Sequence, residues 1–322
     1  MTKSFLPTVL ILTLFVVFCT TLSLGLNTKK GAVLLYSEKE HIVQVTQNFF
    51  AYDDTYVYVV IPHYPPHQNL TKITIYIDNK RIYTAAMENN TLYSYGDTPC
   101  THVYGKTISF IKCSVDFGRH ILKIQYSLTV RGEYPLFFVY RNDALHVQDS
   151  YVWNVLLPDD LEIPQSDGYM YIKDVFELTK GLYHPKVLTS TNDVVIKDVR
   201  PYRASLEANC VVYTSTLLGL LSRKGIPAQP VIGLYRTGDV AHEWLYVLPP
   251  YDCFIDAIYG EEICQISTDH IILLKVPLLP PPVSIKDIFE YEISSTCEPL
   301  SLVSCGIDVS SNPLQTKIEV IS

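Results

Sequence analysis

The segment from Asn209 or Cys210 to about Lys224 constrains the fold more than any other. Val211, Val212, Leu217, Leu218, Leu220 and Leu221 nearly surround a helix there, Arg223 and Lys224 occupy its last turn, and Gly225 follows. A helix apolar on almost every side belongs in a core, and a basic last turn with a glycine stop satisfies the dipole and capping rules. Strand-like runs follow at Gln229 to Tyr235, Glu243 to Leu248 and Cys253 to Ile258, with Pro249-Pro250-Tyr251-Asp252 connecting the last two. The pattern predicts a central helix packed on an antiparallel sheet. Upstream, Ile172, Val175, Phe176 and Thr179 share one face of a helix predicted over Tyr169 to Lys180, with Gly181 beyond it.

Between His41 and about Pro158 the chain reads as short alternating or β-branched runs such as Thr55 to Ile61, Ile73 to Ile77 and His120 to Tyr126. Turn residues such as Asp78-Asn79, Gly96-Asp97 and Arg131-Gly132 separate them, which predicts an antiparallel β-sandwich. This region holds no catalytic motif. The expected organisation is an N-terminal segment over 1–26, an Ig-like β-sandwich over 35–158, an α+β domain over 165–262 and a β-rich C-terminal extension over 263–322.

The uncharged apolar run from Phe5 to Leu26 behind Lys3 predicts export, as a signal peptide or as an uncleaved membrane anchor. The expected location is extracellular, secreted or tethered at the N-terminus. The sequons at Asn69 and Asn89 fit that location. A formal net charge of -8 argues against nucleic acid as a partner.

Of eight cysteines, Cys19 lies in the apolar run, leaving an odd number outside. The close pairs Cys100 with Cys113, Cys253 with Cys264 and Cys297 with Cys305 are natural bridges in an oxidising compartment, although spacing alone does not fix connectivity. Cys210 is left over. Such a thiol points to an intermolecular bridge or to a reactive group.

A helix start and a nearby imidazole favour thiolate chemistry. Cys210 starts the apolar helix, His242 begins the strand His242 to Val247, and Asp256 lies on the next strand, where its carboxylate can hold the imidazole. Each residue alone has an ordinary structural explanation, as a core cysteine, a satisfied core histidine or a backbone-bonded carboxylate. Their order and element types agree jointly with a catalytic triad. No metal site is expected, because there is no C-x-x-C pair and His63, His67, His102, His120, His146, His184 and His270 are scattered. Glu243 is expected on the opposite strand face without a chemical role, and Trp244 on the His242 side as a shield or a core aromatic.

Asn209-Cys210-Val211-Val212-Tyr213, the Lys224-Gly225-Ile226-Pro227-Ala228 turn, Ala241-His242-Glu243-Trp244 and Ile255-Asp256 resemble the motifs of the transglutaminase-like superfamily. The resemblance covers Asn209 to Tyr259. It implies an α+β, transglutaminase-like (papain-like) core with a nucleophile helix on an antiparallel sheet, of the compact microbial type. It departs from the pattern at Ala208-Asn209 before the cysteine and at Ala257 after the aspartate.

The implied activity is acyl transfer at amide bonds of a protein or peptide substrate, through a Cys210 thioester with His242 as acid and base and Asp256 as orienter. No cofactor is implied. Hydrolysis by a cysteine protease or amidase is the simplest form; a crosslinking transglutaminase and a surface binding or structural module with an inactive triad are the alternatives.

Overall fold

The structure is a computed structural model describing residues 26–29, 32–96, 98–138, 155–157, 159, 161–185, 194–196, 207–236, 241–260, 262–311 and 316–321. The apolar run before Leu26 lies outside them. Among the described residues no helix is long and apolar enough to cross a membrane.

The first half of the chain is strand: β1 (Leu26–Lys29), β2 (Ala32–Val60), β3 (Gln68–Ile77), β4 (Lys80–Glu88), β5 (Thr91–Ser94), β6 (Cys100–Tyr104), β7 (Ser109–Val115) and β8 (Gly118–Phe138). Then come α1 (Gly168–Leu182), β9 (His184–Pro185), β10 (Val194–Ile196), β11 (Glu207–Ala208) and α2 (Cys210–Arg223). These lead into β12 (Ala228–Tyr235), β13 (Ala241–Val247), β14 (Cys253–Ile255) and β15 (His270–Lys275). The chain closes with β16 (Val283–Ser284), α3 (Ile285–Ile293), β17 (Glu298–Ser301), β18 (Ser304–Ser311) and β19 (Lys317–Ile321).

The expected α+β class is corrected by this architecture. The chain is mostly β, and its dominant element is a curled antiparallel half-barrel, which does not fit an α+β papain-like core behind a β-sandwich. Two features unreadable from alternation produce it. The runs in the first half join into long strands, with β2 and β8 paired from Ala32↔Phe138 to Ala51↔Gly118 and one register shift at Val33/Leu34. Strands of that length coil through their right-handed twist. The C-terminal strands β18 and β19 then pair directly with β2, closing an eleven-stranded sheet of order β17-β18-β2-β8-β3-β4-β5 with β1, β6, β7 and β19 beside it. Sequon residues Asn69 and Asn89 are exposed on it.

A second sheet of four strands, ordered β14-β13-β12-β15, is covered on one face by α2. Leu217, Leu218, Leu220 and Leu221 are buried in the resulting core together with Leu234, Leu245, Val247 and Ile255. The Asn209 side chain caps α2 by accepting from Val212 N–H at 3.1 Å, and Gly225, at φ 66°, takes the left-handed position that ends it. The sheet's other face presents Val231, Trp244, Phe254 and Ile272, which pack with Ile266, Tyr64 and Tyr246.

The large sheet grips β15 and the loop before it. The buried Gln68 side chain donates to Ile272 O at 2.6 Å and accepts from Ile272 N–H at 2.8 Å, as a neighbouring strand would. Glu133 and Ile266 exchange two backbone hydrogen bonds, His41 donates to Thr268 O at 2.8 Å, and Lys39 pairs with Asp269 at 2.9 Å.

Disulfides join Cys100 to Cys113, Cys253 to Cys264 and Cys297 to Cys305, which fits an oxidising environment. Cys210 is the free cysteine among the described residues.

Candidate active site

Three elements bring the sequence-predicted residues together. Cys210 opens α2, partly exposed, where backbone N–H groups lack intrahelical acceptors. β13 passes under that helix, and Thr214 Oγ1 donates to Glu243 O at 3.2 Å, fixing the strand against it. His242, one residue earlier, is 6% exposed and hydrogen-bonded to the Cys210 side chain. Its Nε2 donates to Asp256 Oδ2 at 2.7 Å, which leaves Nδ1 as the ring nitrogen for the sulfur. Asp256 follows β14, the strand paired with β13 through Leu245↔Ile255.

Asp256 is the most heavily bonded group in the site. Its Oδ1 accepts from the N–H groups of Ile258 (2.9 Å) and Tyr259 (3.2 Å), while Oδ2 accepts from His242 and also from His270 Nε2 at 3.0 Å. Ser267 Oγ lies within hydrogen-bond distance of His270 Nδ1, at 3.0 Å, and holds the ring with Nε2 toward Asp256, which only accepts. The result is a chain running from Ser267 through His270, Asp256 and His242 to Cys210.

Electrostatics follow from this bonding. Burial works against a charge on His242, but the Asp256 carboxylate and the hydrogen bonds to Asp256 and Cys210 outweigh it and push the imidazole up to about 9. Burial likewise opposes the Asp256 charge, and the His242 and His270 partners overcome it, holding the carboxyl well below the usual range. Glu243 is pushed well above the carboxylate range by burial and then by Cys210; its Oε1 has no hydrogen-bond partner among the described residues.

An aromatic wall surrounds the imidazole. Trp244, 1% exposed, stacks on His242 with centroids 5.6 Å apart and also meets His270 edge-on at 5.3 Å. Tyr259 presents an edge to His242 at 4.8 Å. Gly233 makes room for this wall, since a Cβ there would lie 1.9 Å from Ile271 O and 2.6 Å from the Trp244 ring.

His270 and Tyr259 had no assigned role in the sequence. The strand from Ile271 was legible, but not its pairing with β12, which sets Tyr235 opposite His270. Of the other histidines, His67 lies 3.2 Å from Glu133 and 3.6 Å from Asp252 between the sheets, and His146 falls outside the described residues. His242, Asp256 and His270 have ligand atoms within 4.8 Å of one another, a set able to hold a divalent transition metal. The hydrogen bonds given above already use each of those atoms.

No protein-family model matches the chain, and no curated protein matches it. A solved crystal structure of a "putative cysteine protease" from Cytophaga hutchinsonii is similar over 89% of this chain and 93% of its own, with 10% identity and a TM-score of 0.46.

Proposed function

We propose that the protein is a thiol enzyme that transfers acyl groups from amide bonds through a thioester on Cys210, with water as the acceptor. The observation that carries this reading is the hydrogen-bonded series Cys210, His242, Asp256, in which a free thiol at a helix start meets a buried imidazole held by a carboxylate. The motif resemblance over Asn209 to Tyr259 supports the same chemistry.

Cys210 Sγ, its proton already passed to His242, attacks the amide carbonyl carbon, and the C–N bond breaks as His242 gives that proton to the leaving amine. His242 is set up for the acid role because its neighbours keep it protonated through neutral pH. Water then adds to the thioester, giving a proton to His242 and releasing a carboxylic acid and the restored thiol. The Cys210 N–H, at the first position of α2, faces the developing oxyanion. Asp256 fixes the ring and stabilises its charge without exchanging protons.

Incubation with a peptidyl acyloxymethyl ketone, followed by mass spectrometry, tests this. The expected result is one adduct, on Cys210, lost in His242→Ala while that variant keeps its circular-dichroism spectrum. No adduct on a folded wild-type chain overturns the proposal.

A further inference from the structure

Most large apolar side chains that remain exposed lie far along the chain from the site, but Tyr259, 44% exposed, touches its base. Its position is not accidental to the turn: the Tyr259 N–H is bonded to Oδ1 of the carboxylate whose Oδ2 holds His242. Ring and imidazole are therefore positioned by the same group.

Tyr259 stacks on Tyr235, with centroids 4.1 Å apart and an interplanar angle of 13°. Tyr235, at the end of β12, also meets His270 at 4.7 Å. The next residue, Arg236, is exposed and sits at φ 59°, a left-handed conformation unfavourable for a long side chain. Its N–H donates to Asp269 O at 3.0 Å, and its guanidinium lies 5.0 Å from the Tyr235 ring centre. A strained backbone thus holds a cation against the tyrosine pair, with part of the Tyr259 surface open to solvent.

We infer that Tyr259, Tyr235 and Arg236 form the subsite for the first residue on the amine side of the scissile bond, accepting an aromatic side chain and rejecting a basic one. This rests on the Cys210 acyl-transfer reading. In that reaction His242 hands its proton to the leaving amine, so the amine and the side chain just beyond it lie on the His242 flank of the site. Tyr259 borders that flank. An aromatic ring packed on its open surface gains buried area and ring–ring attraction, whereas a Lys or Arg side chain meets the like charge of Arg236.

The test is a pool of random-sequence peptides incubated with the full chain, with new N-termini identified by mass spectrometry and Cys210→Ala run in parallel. Phe, Tyr and Trp should open the new N-termini about tenfold more often than their share of the pool, with Lys and Arg depleted. Tyr259→Ala should lower kcat/KM for aromatic-bearing peptides about tenfold more than for alanine-bearing ones, and Arg236→Glu should admit Lys and Arg. If cleavage depends on Cys210 but shows no amine-side preference, the subsite is overturned and the acyl-transfer reading stands. If cleavage is absent, or persists in Cys210→Ala, both fall.

Discussion

His270 Nε2 stands 3.0 Å from Asp256 Oδ2, the same oxygen that accepts from His242 at 2.7 Å. Two imidazoles thus share one carboxylate oxygen, and His270 bears on the thiol through Asp256 and His242. His270→Ala should lower kcat/KM about 10- to 100-fold, the worth of a hydrogen bond to a charged group. With one donor fewer, Asp256 should bind a proton more readily, and the acid limb of the pH–activity profile should move upward. His270→Gln, which can still donate to Asp256, should recover much of the loss. A fall in activity with an unmoved acid limb and no recovery in the glutamine variant would assign His270 a packing role alone.

The His242–Asp256 pair should leave a mark on stability as well as on activity. His242 is raised from 6.5 to about 9, so its pairing stabilises the fold fully below pH 6.5 and that contribution is lost as pH rises through about 9. The amount is on the order of 3 kcal/mol. Asp256, held below its ordinary 3.8, contributes above that pH and loses its contribution as pH falls through its depressed range. Differential scanning calorimetry should show Tm declining from pH 7 to 9.5, and His242→Gln should flatten that decline.

Glu243 carries the opposite energetic sense. Its carboxyl is raised well above 4.5, so keeping it protonated in the fold costs stability increasingly as pH rises above that value. Glutamine has the shape of the neutral acid and removes the cost. Glu243→Gln should therefore raise Tm at pH 8 more than at pH 5. A lower Tm at pH 8 would show that the charged form is the one the fold uses.

Gly233 should tolerate no side chain. The 1.9 Å approach to Ile271 O is to backbone, so an alanine there must push β12 away from β15 or displace Trp244. Gly233→Ala should cost about 3 kcal/mol in urea unfolding, at the upper end for overpacking. Adduct formation at Cys210 should slow with it, because β15 carries His270.

The Cys253–Cys264 bridge closes the loop containing Asp256 and Tyr259. Replacing both cysteines by serine should lower stability by about 3 kcal/mol, as expected for a short loop. The double variant should also label more slowly at Cys210 than a matched Cys297→Ser, Cys305→Ser variant, whose bridge lies outside that loop.

The legible parts of this protein are those written in local order. The all-round apolar pattern of Val211 to Leu221, with Gly225 after it, marked a buried helix beginning at Asn209 or Cys210. The hairpin of β13 and β14 is joined by the five residues Leu248 to Asp252, so the nearness of His242 and Asp256 could be anticipated from adjacency along the chain. His270 could not be placed this way. It reaches Asp256 because β15 pairs with β12 across a bulge at Ile232/Gly233, and no local pattern names a strand's partner.

The same limit explains the misread fold class. Alternation showed that the first half is β and that the last segment holds strands. It did not show that Ile318 would lie beside Val45, or Gly306 beside Val57. By itself the sequence determined the buried helix, the strand runs and the identity of a thiol, an imidazole and a carboxylate in serial order. Tertiary structure alone decided the eleven-stranded sheet, its grip on the 266–272 segment and the second histidine on Asp256. Side-chain periodicity records which face of an element is buried, whereas pairing between distant strands is settled only when the whole core closes.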